Sequence, residues 1–227
     1  MCLSLKDIKE VIEALPDYLN KRDSGRPYFF SEADFQHAFA ITIGKLHNNL
    51  KVWLEYPIED PLRLEANNMW YIDICVMDQA KGNDVKKCFI ELKYKTKAVD
   101  GLILKNQSAQ DLGRMLFLKD VSRIENAIEA EKCNVGYTIL LTNDHLYWEP
   151  PKRAQVHDLY YRLHQQVDAQ ENNEPIPWNA DHRPEWVDSV GLVTISNNYM
   201  PQWTDYNTVN GSLFRSLVFE VPPNKGI

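Results

Sequence analysis

The residue types best suited to chemistry lie in two neighbouring apolar runs. Asp73 sits inside YIDICVM, where an ionised carboxylate is costly unless it is paired, hydrogen-bonded or bound to a cation. Further on, KCFIELKYK carries Glu91 and Lys93 two positions apart. On a strand such residues share one face, with Ile90, Leu92 and Tyr94 on the other. If the two runs pair as an antiparallel hairpin, Asp73 lies near Glu91, and two carboxylates and an ammonium occupy one patch. Carboxylates ~4 Å apart repel and favour a divalent cation between them. Oxygen donors that leave room for water suit Mg²⁺ or Mn²⁺. The lysine could then orient or deprotonate a water, or stabilise charge building on a phosphate. Phosphodiester hydrolysis needs that set of groups. The plainer alternative is a solvated strand face with a salt bridge, with Asp73 capping a turn or paired to a lysine.

Other familiar chemistries are missing. The nine glycines form neither GxGxxG nor GxxxxGK[ST], and GxSxG is absent, which argues against a dinucleotide fold, a P-loop and a hydrolase elbow. No HExxH occurs, and neither His157 nor His164 has a second histidine at chelating i+4 spacing. Cys2, Cys75, Cys88 and Cys133 form no CxxC pair; Cys75 and Cys88, on the expected strands, point to opposite faces and read as reduced, buried thiols. A net charge of −7 gives no whole-protein attraction to nucleic acid. Locally, seven lysines face three acids between Lys81 and Lys105, a basic stretch that equally reads as gatekeeper lysines on a strand edge. The start, MCLSLKDIKEVIEALP, lacks the cationic and apolar regions of a secretory signal. No apolar run approaches the ~20 residues of a membrane helix, so a cytoplasmic protein is expected.

The elements that must position these groups follow from periodicity. Residues 4–15 predict an amphipathic helix with Ser4 as N-cap and Pro16 beyond its end. After the polar turn KRDSGRP, Ser31 caps a second helix over 31–48, with Phe35, Ala38, Phe39, Ile43 and Leu46 as its buried stripe and Asp34 as the N3 partner of the cap. Strands are expected at 51–58, 70–77 and 87–95, the last two joined through the turn signal KGND. A long helix over 107–131 presents Leu112, Leu116, Ile124 and Ile128 to the core. Its Gln107, Gln110, Arg114, Lys119 and Arg123 read as a solvated face, with contact to a scissile strand as the alternative. A buried strand at 135–142, a helix at 155–168, the polar stretch ENNEPIPWNADHRPEW and strands at 190–195 and 213–221 complete the chain. Trp148, Trp178, Trp186 and Trp203 either pack or stack on bases. The order predicts an α/β sandwich: a central mixed sheet flanked by helices, its first three strands antiparallel. One domain over 1–227 is expected, with a core at 31–148 and a C-terminal helix, loops and strands packed on it.

Taken together, SEADFQHAFA, WLEYPI, YIDICV, FIELKYKTK, DLGRMLFLKDVSRIE and LLTNDHLYW resemble the PD-(D/E)XK nuclease superfamily, the restriction-endonuclease-like fold, and more narrowly a bacterial lineage within it. The resemblance spans about 31–148. It implies a Mg²⁺- or Mn²⁺-dependent nuclease in which Asp73 and Glu91 hold the metal and Lys93 is the catalytic lysine. It also implies nucleic acid, by default DNA, as partner. Separately, no membrane partner is expected, and a homodimer is allowed. Glu32, in the first core helix, matches the acid that superfamily members often add there, though the helix macrodipole equally favours an acid at that place. Glu55 is either a further metal neighbour or a surface residue. Ile72 stands where the name-giving proline would precede Asp73. The rival expectation is a catalytically silent nuclease-fold module that binds nucleic acid or protein; a third is a toxin-like or phage-defence nuclease that acts only with a partner chain.

Overall fold

The computed structural model describes residues 2–22, 26–59, 69–78, 85–153, 156–178, 191 and 193–223. The helices are α1 (Leu5–Arg22), α2 (Glu32–Leu46) and α3 (Gln110–Glu129). The strands are β1 (Leu50–Glu59), β2 (Met69–Asp78), β3 (Lys86–Lys95), β4 (Val135–Thr142), β5 (Trp203–Val209) and β6 (Ser212–Val221). They form one six-stranded sheet in the order β1-β2-β3-β4-β6-β5. Only β3 and β4 are parallel, and α3 is the crossover that such a pair requires. The fold is therefore α/β, a central mixed sheet flanked by helices.

Each sheet face buries an apolar layer. On one, Ile8, Val11, Leu15 and Leu19 of α1 and Phe35, Phe39 and Ile43 of α2 cover Ile74, Val76, Ile90, Leu92, Ile139 and Leu141. On the other, Phe117, Leu118, Val121, Ile124 and Ile128 of α3 cover Cys75, Phe89, Leu140, Leu217 and Phe219. Covered on both faces, β4 reads VGYTILLT, a run without polar alternation. Cys75 and Cys88 fall in opposite layers, and all four thiols are free. Burial pushes the Cys75 thiol up to about 12. No helix among the described residues is long and apolar enough to cross a membrane.

Several elements differ from the sequence expectation for identifiable reasons. Ser4 caps α1, its backbone and hydroxyl both donating to Asp7 Oδ2 at 2.7 and 2.6 Å. The helix then continues through Pro16 to Arg22. An internal proline costs ~3 kcal/mol, but continuation buries Leu19 completely and stacks Tyr18 under Lys45. Leu46 is exposed rather than part of the α2 stripe. Helix α3 begins at Gln110, not 107, and its Leu112 and Leu116 are only half-buried. Its buried face is turned toward Phe117, Leu118 and Val121 because C-terminal segments also pack there, through Tyr161, Leu163, Val167 and Ile195.

The expected helix at 155–168 is replaced, among its described residues, by a single 3₁₀ turn at Leu159–Tyr161. Tertiary partners take its polar groups instead. Leu163 O accepts from Trp203 Nε1 at 2.7 Å, Val167 exchanges backbone bonds with Tyr199, and Tyr161 Oη donates to Ile176 O. In the expected strand at 190–195, the described residues are not in a strand; Val193 O and Ile195 O accept from Ile176 and Gln170. Its residues 190 and 192, like the KGND turn and Trp186, lie outside the described residues. Strand β6 matches the expected 213–221, but β5 was not expected. Its sequence WTDYNTV carries too few apolar residues, yet Asn210-Gly211, both at positive φ, form the two-residue turn that closes the β5–β6 hairpin.

The two layers predict unequal costs along α3. Phe117→Ala should destabilise by roughly 3–5 kcal/mol, as a fully buried aromatic truncation does. Leu116→Ala should cost less than half of that, measured by the shift in urea midpoint at unchanged slope.

Candidate active site

The site forms where β2 leaves β3. Their ladder runs from Asp78↔Lys86 to Ile74↔Ile90 and stops there, one position short of Asp73 and Glu91. The β3 backbone donors beyond it are satisfied by side chains. Leu92 N donates to Asp73 Oδ2 at 2.7 Å, and Tyr94 N donates to Glu32 Oε2 at 2.9 Å. Two carboxylates thus replace the strand that β3 has lost.

The β1–β2 hairpin turns over at the same level. Leu50, Val52, Ile74 and Val76 pack in the α1/α2 layer, whereas Tyr56, Ile58, Trp70 and Ile72 pack in the α3 layer. Side chains two apart would stay on one face of a regular strand, so both strands roll over between these sets. The pivot is the opposed pair Glu55 and Asp73, absent from an otherwise continuous register. Glu55 has φ +49, a left-handed conformation that a non-glycine residue adopts at a cost. Gln36, one turn into α2, pins the pivot: its Nε2 donates to Asp73 O at 2.7 Å and to Glu55 Oε1 at 2.8 Å. Ser31 Oγ caps α2 by accepting from Asp34 N at 3.2 Å, as expected, and so aims its first turn at the gap.

Asp73, Glu91, Lys93 and Glu32, the four residues expected from sequence, meet here. Glu91 is 2% exposed. Lys93 Nζ lies 2.6 Å from Asp120 Oδ2 and 4.0 Å from Glu32 Oε1. Arg123 Nη1 lies 3.2 Å from Glu91 Oε1 and 3.5 Å from Asp120 Oδ1. Glu55 stands apart, exposed and held by Gln36.

Asp120 and Arg123 of α3 were not singled out for the site by the sequence. The sequence places Arg123 on a solvated face. Instead it enters the cleft, with its guanidinium 5.1 Å over the Trp70 ring. Arg114 also departs from that reading: it is buried and paired with Asp158, while Gln110 donates to Asp144 at 2.8 Å. The usable signal was Asp120 itself, an acid within the apolar MLFLKDV. Trp148 packs on Trp203 and Trp178 on Tyr161, so these rings serve the core.

The electrostatics follow from crowding acids into a dry notch. Burial raises the pKa of Asp73, partly countered by the Leu92 N–H and Lys93. Glu91 is pushed well above the carboxylate range by burial, then by Asp120 and Asp73. For Lys93 burial works downward, but Asp120 and Glu32 outweigh it and the pKa rises. Lys93 therefore keeps its proton, which suits charge stabilisation rather than proton abstraction. Four acids, Asp73, Glu91, Asp120 and Glu32, thus face two cations, Lys93 and Arg123.

Among the described residues, no group of three or more His, Cys, Asp or Glu side chains is arranged to hold a metal ion. What the cleft offers is the pair Asp73 and Glu91. Glu91 Oε1 is buried, and its contact with Arg123 is ionic without a hydrogen bond. Such a pair fits Mg²⁺, which keeps several waters and takes one or two carboxylates. Compared with protein-family models, curated proteins and solved structures, the chain matches none.

The raised acids set a pH dependence. A carboxyl whose folded pKa exceeds its unfolded value stabilises the fold below about pH 4.3 and loses that contribution as pH rises through the folded value. Without divalent ions the melting temperature should fall from mildly acidic toward neutral pH, and Glu91→Gln should flatten that slope. Melts across a buffer series at constant ionic strength measure it.

Proposed function

We propose that this protein is a Mg²⁺-dependent nuclease of restriction-endonuclease-like fold that hydrolyses phosphodiester bonds, with DNA as its partner. The observation that carries this reading is the convergence of Asp73, Glu91 and Lys93 in the notch between β2 and β3. It is supported by the order α2, β1, β2, β3, α3, β4 around one mixed sheet, the order that the resemblance implies. Asp73 and Glu91 would hold the ion. When bound, it supplies charge neutralisation for the scissile phosphate and activation of water.

The chain's own residues divide the remaining tasks. Lys93, kept protonated by Asp120 and Glu32, presents a fixed positive charge to the phosphate oxygens as charge builds on them. Asp120 orients that ammonium through its 2.6 Å contact. Glu32 holds the end of β3 open through Tyr94 N. A second reading, a silent nuclease-fold module, is favoured by one observation: Arg123 and Lys93 already pair Glu91 and Asp120 within the chain.

Calorimetric Mn²⁺ titration and nicking of plasmid and single-stranded DNA separate the two. The wild type should bind Mn²⁺ at millimolar concentration and cut. Glu91→Gln should lose both properties. Lys93→Ala should still bind the ion but lose about 3–4 kcal/mol of transition-state stabilisation, as removal of a single electrostatic donor does. A wild type that neither binds a divalent ion nor cuts DNA or RNA supports the silent module instead.

A further inference from the structure

The two cations of the cleft are held at different distances from their carboxylates. Lys93 is anchored on Asp120 at 2.6 Å. Among the described residues, the contacts of Arg123 are longer: 3.2 Å to Glu91 Oε1, 3.5 Å to Asp120 Oδ1, 3.3 Å to Tyr71 O and 5.1 Å to the Trp70 ring centre. Its side chain is 22% exposed against 2% for Glu91, so it reaches a buried carboxylate from the solvent side. The Glu91 oxygen it faces accepts no hydrogen bond. A guanidinium forms strong bidentate, hydrogen-bonded pairs with carboxylates when geometry allows; this pair is not one. Arg123 faces Glu91 without locking onto it.

Like charges cannot share that oxygen. An ion entering between Asp73 and Glu91 would meet the guanidinium a few ångströms away in a poorly solvated cleft, where their repulsion is weakly screened. Lys93 is tied to another carboxylate and can stay. Arg123 borders solvent, its side chain 22% exposed and its guanidinium over the Trp70 ring.

We propose that Arg123 is a displaceable counter-ion: it occupies Glu91 in the ion-free protein and is expelled when a divalent cation binds. This inference rests on the metal reading above and adds a competitor built into the chain. It also gives the internal pairing a purpose, since the arginine stabilises an acid-rich cleft until the ion arrives.

The test measures Mn²⁺ affinity directly, by calorimetry, for the wild type, Arg123→Gln and Arg123→Lys. Removing the competitor should tighten Mn²⁺ binding about tenfold or more in Arg123→Gln, as expected for loss of one close charge pair. Arg123→Lys should fall between the two. A second arm needs no variant: Mn²⁺ should increase modification of Arg123 by phenylglyoxal, read by peptide mass spectrometry. Equal Mn²⁺ affinity in wild type and Arg123→Gln, or labelling unchanged by bound Mn²⁺, overturns the exchange while leaving the metal reading intact. No Mn²⁺ binding by any of the three proteins overturns both.

Discussion

Where a strand loses its neighbour, its backbone donors need other acceptors, because a buried unpaired N–H costs about as much as a lost hydrogen bond. β3 meets this constraint at Leu92 and Tyr94, and meets it with the carboxylates of Asp73 and Glu32. The rest of the site depends on that substitution. It brings acids from β2 and α2 to one edge of β3, and it needs the β1–β2 hairpin to roll over at Glu55 and Asp73. Gln36 holds the pivot, and the left-handed backbone at Glu55 is a local cost of the turn.

The same arrangement is electrostatically unfavourable for the bare fold. Burial raises the pKa of these acids and their neighbours raise it further, as Glu91 shows. Replacing such charges with apolar residues would often stabilise a protein. Acids with raised pKa values cluster at functional sites, which is the ground for the nuclease proposal. Lys93 and Arg123 moderate the cost without cancelling it.

Helix α3 links this cleft to the C-terminal third of the chain. It contributes Asp120 and Arg123 toward the notch, and Arg114 and Glu125 toward the loops beyond β4. Arg114 pairs with Asp158, which Arg162 also holds at 2.8 Å. Glu125 accepts from Ser196 N, Asn197 N, Asn197 Nδ2 and Tyr199 Oη at 2.8–3.0 Å. These saturated carboxylates fix irregular backbone where hydrogen-bond ladders are missing, and they fix the rotation of α3 as well. The polar residues along that helix are thus largely ties to the rest of the molecule.

By itself the sequence determined what short-range physics controls. The alternating run of β3, the aromatic and β-branched run of β2, the apolar run of β4 and the Ser31 cap each state their own structure. Asp73 within YIDICVM and Glu91 with Lys93 on one strand face were legible because strand geometry ties spacing to direction. Even β5 left a local mark, in Asn210-Gly211. Tertiary structure alone decided the rest. Whether α1 stops at Pro16 depends on what Leu19 can bury, and whether 156–168 becomes helical depends on who takes its backbone groups. The roll of the β1–β2 hairpin reverses faces without any change in the alternating pattern. The entry of Asp120 and Arg123 into the cleft depends on the rotation of α3, which residues far along the chain set. Periodicity records which residues of an element share a face; only packing decides what that face meets.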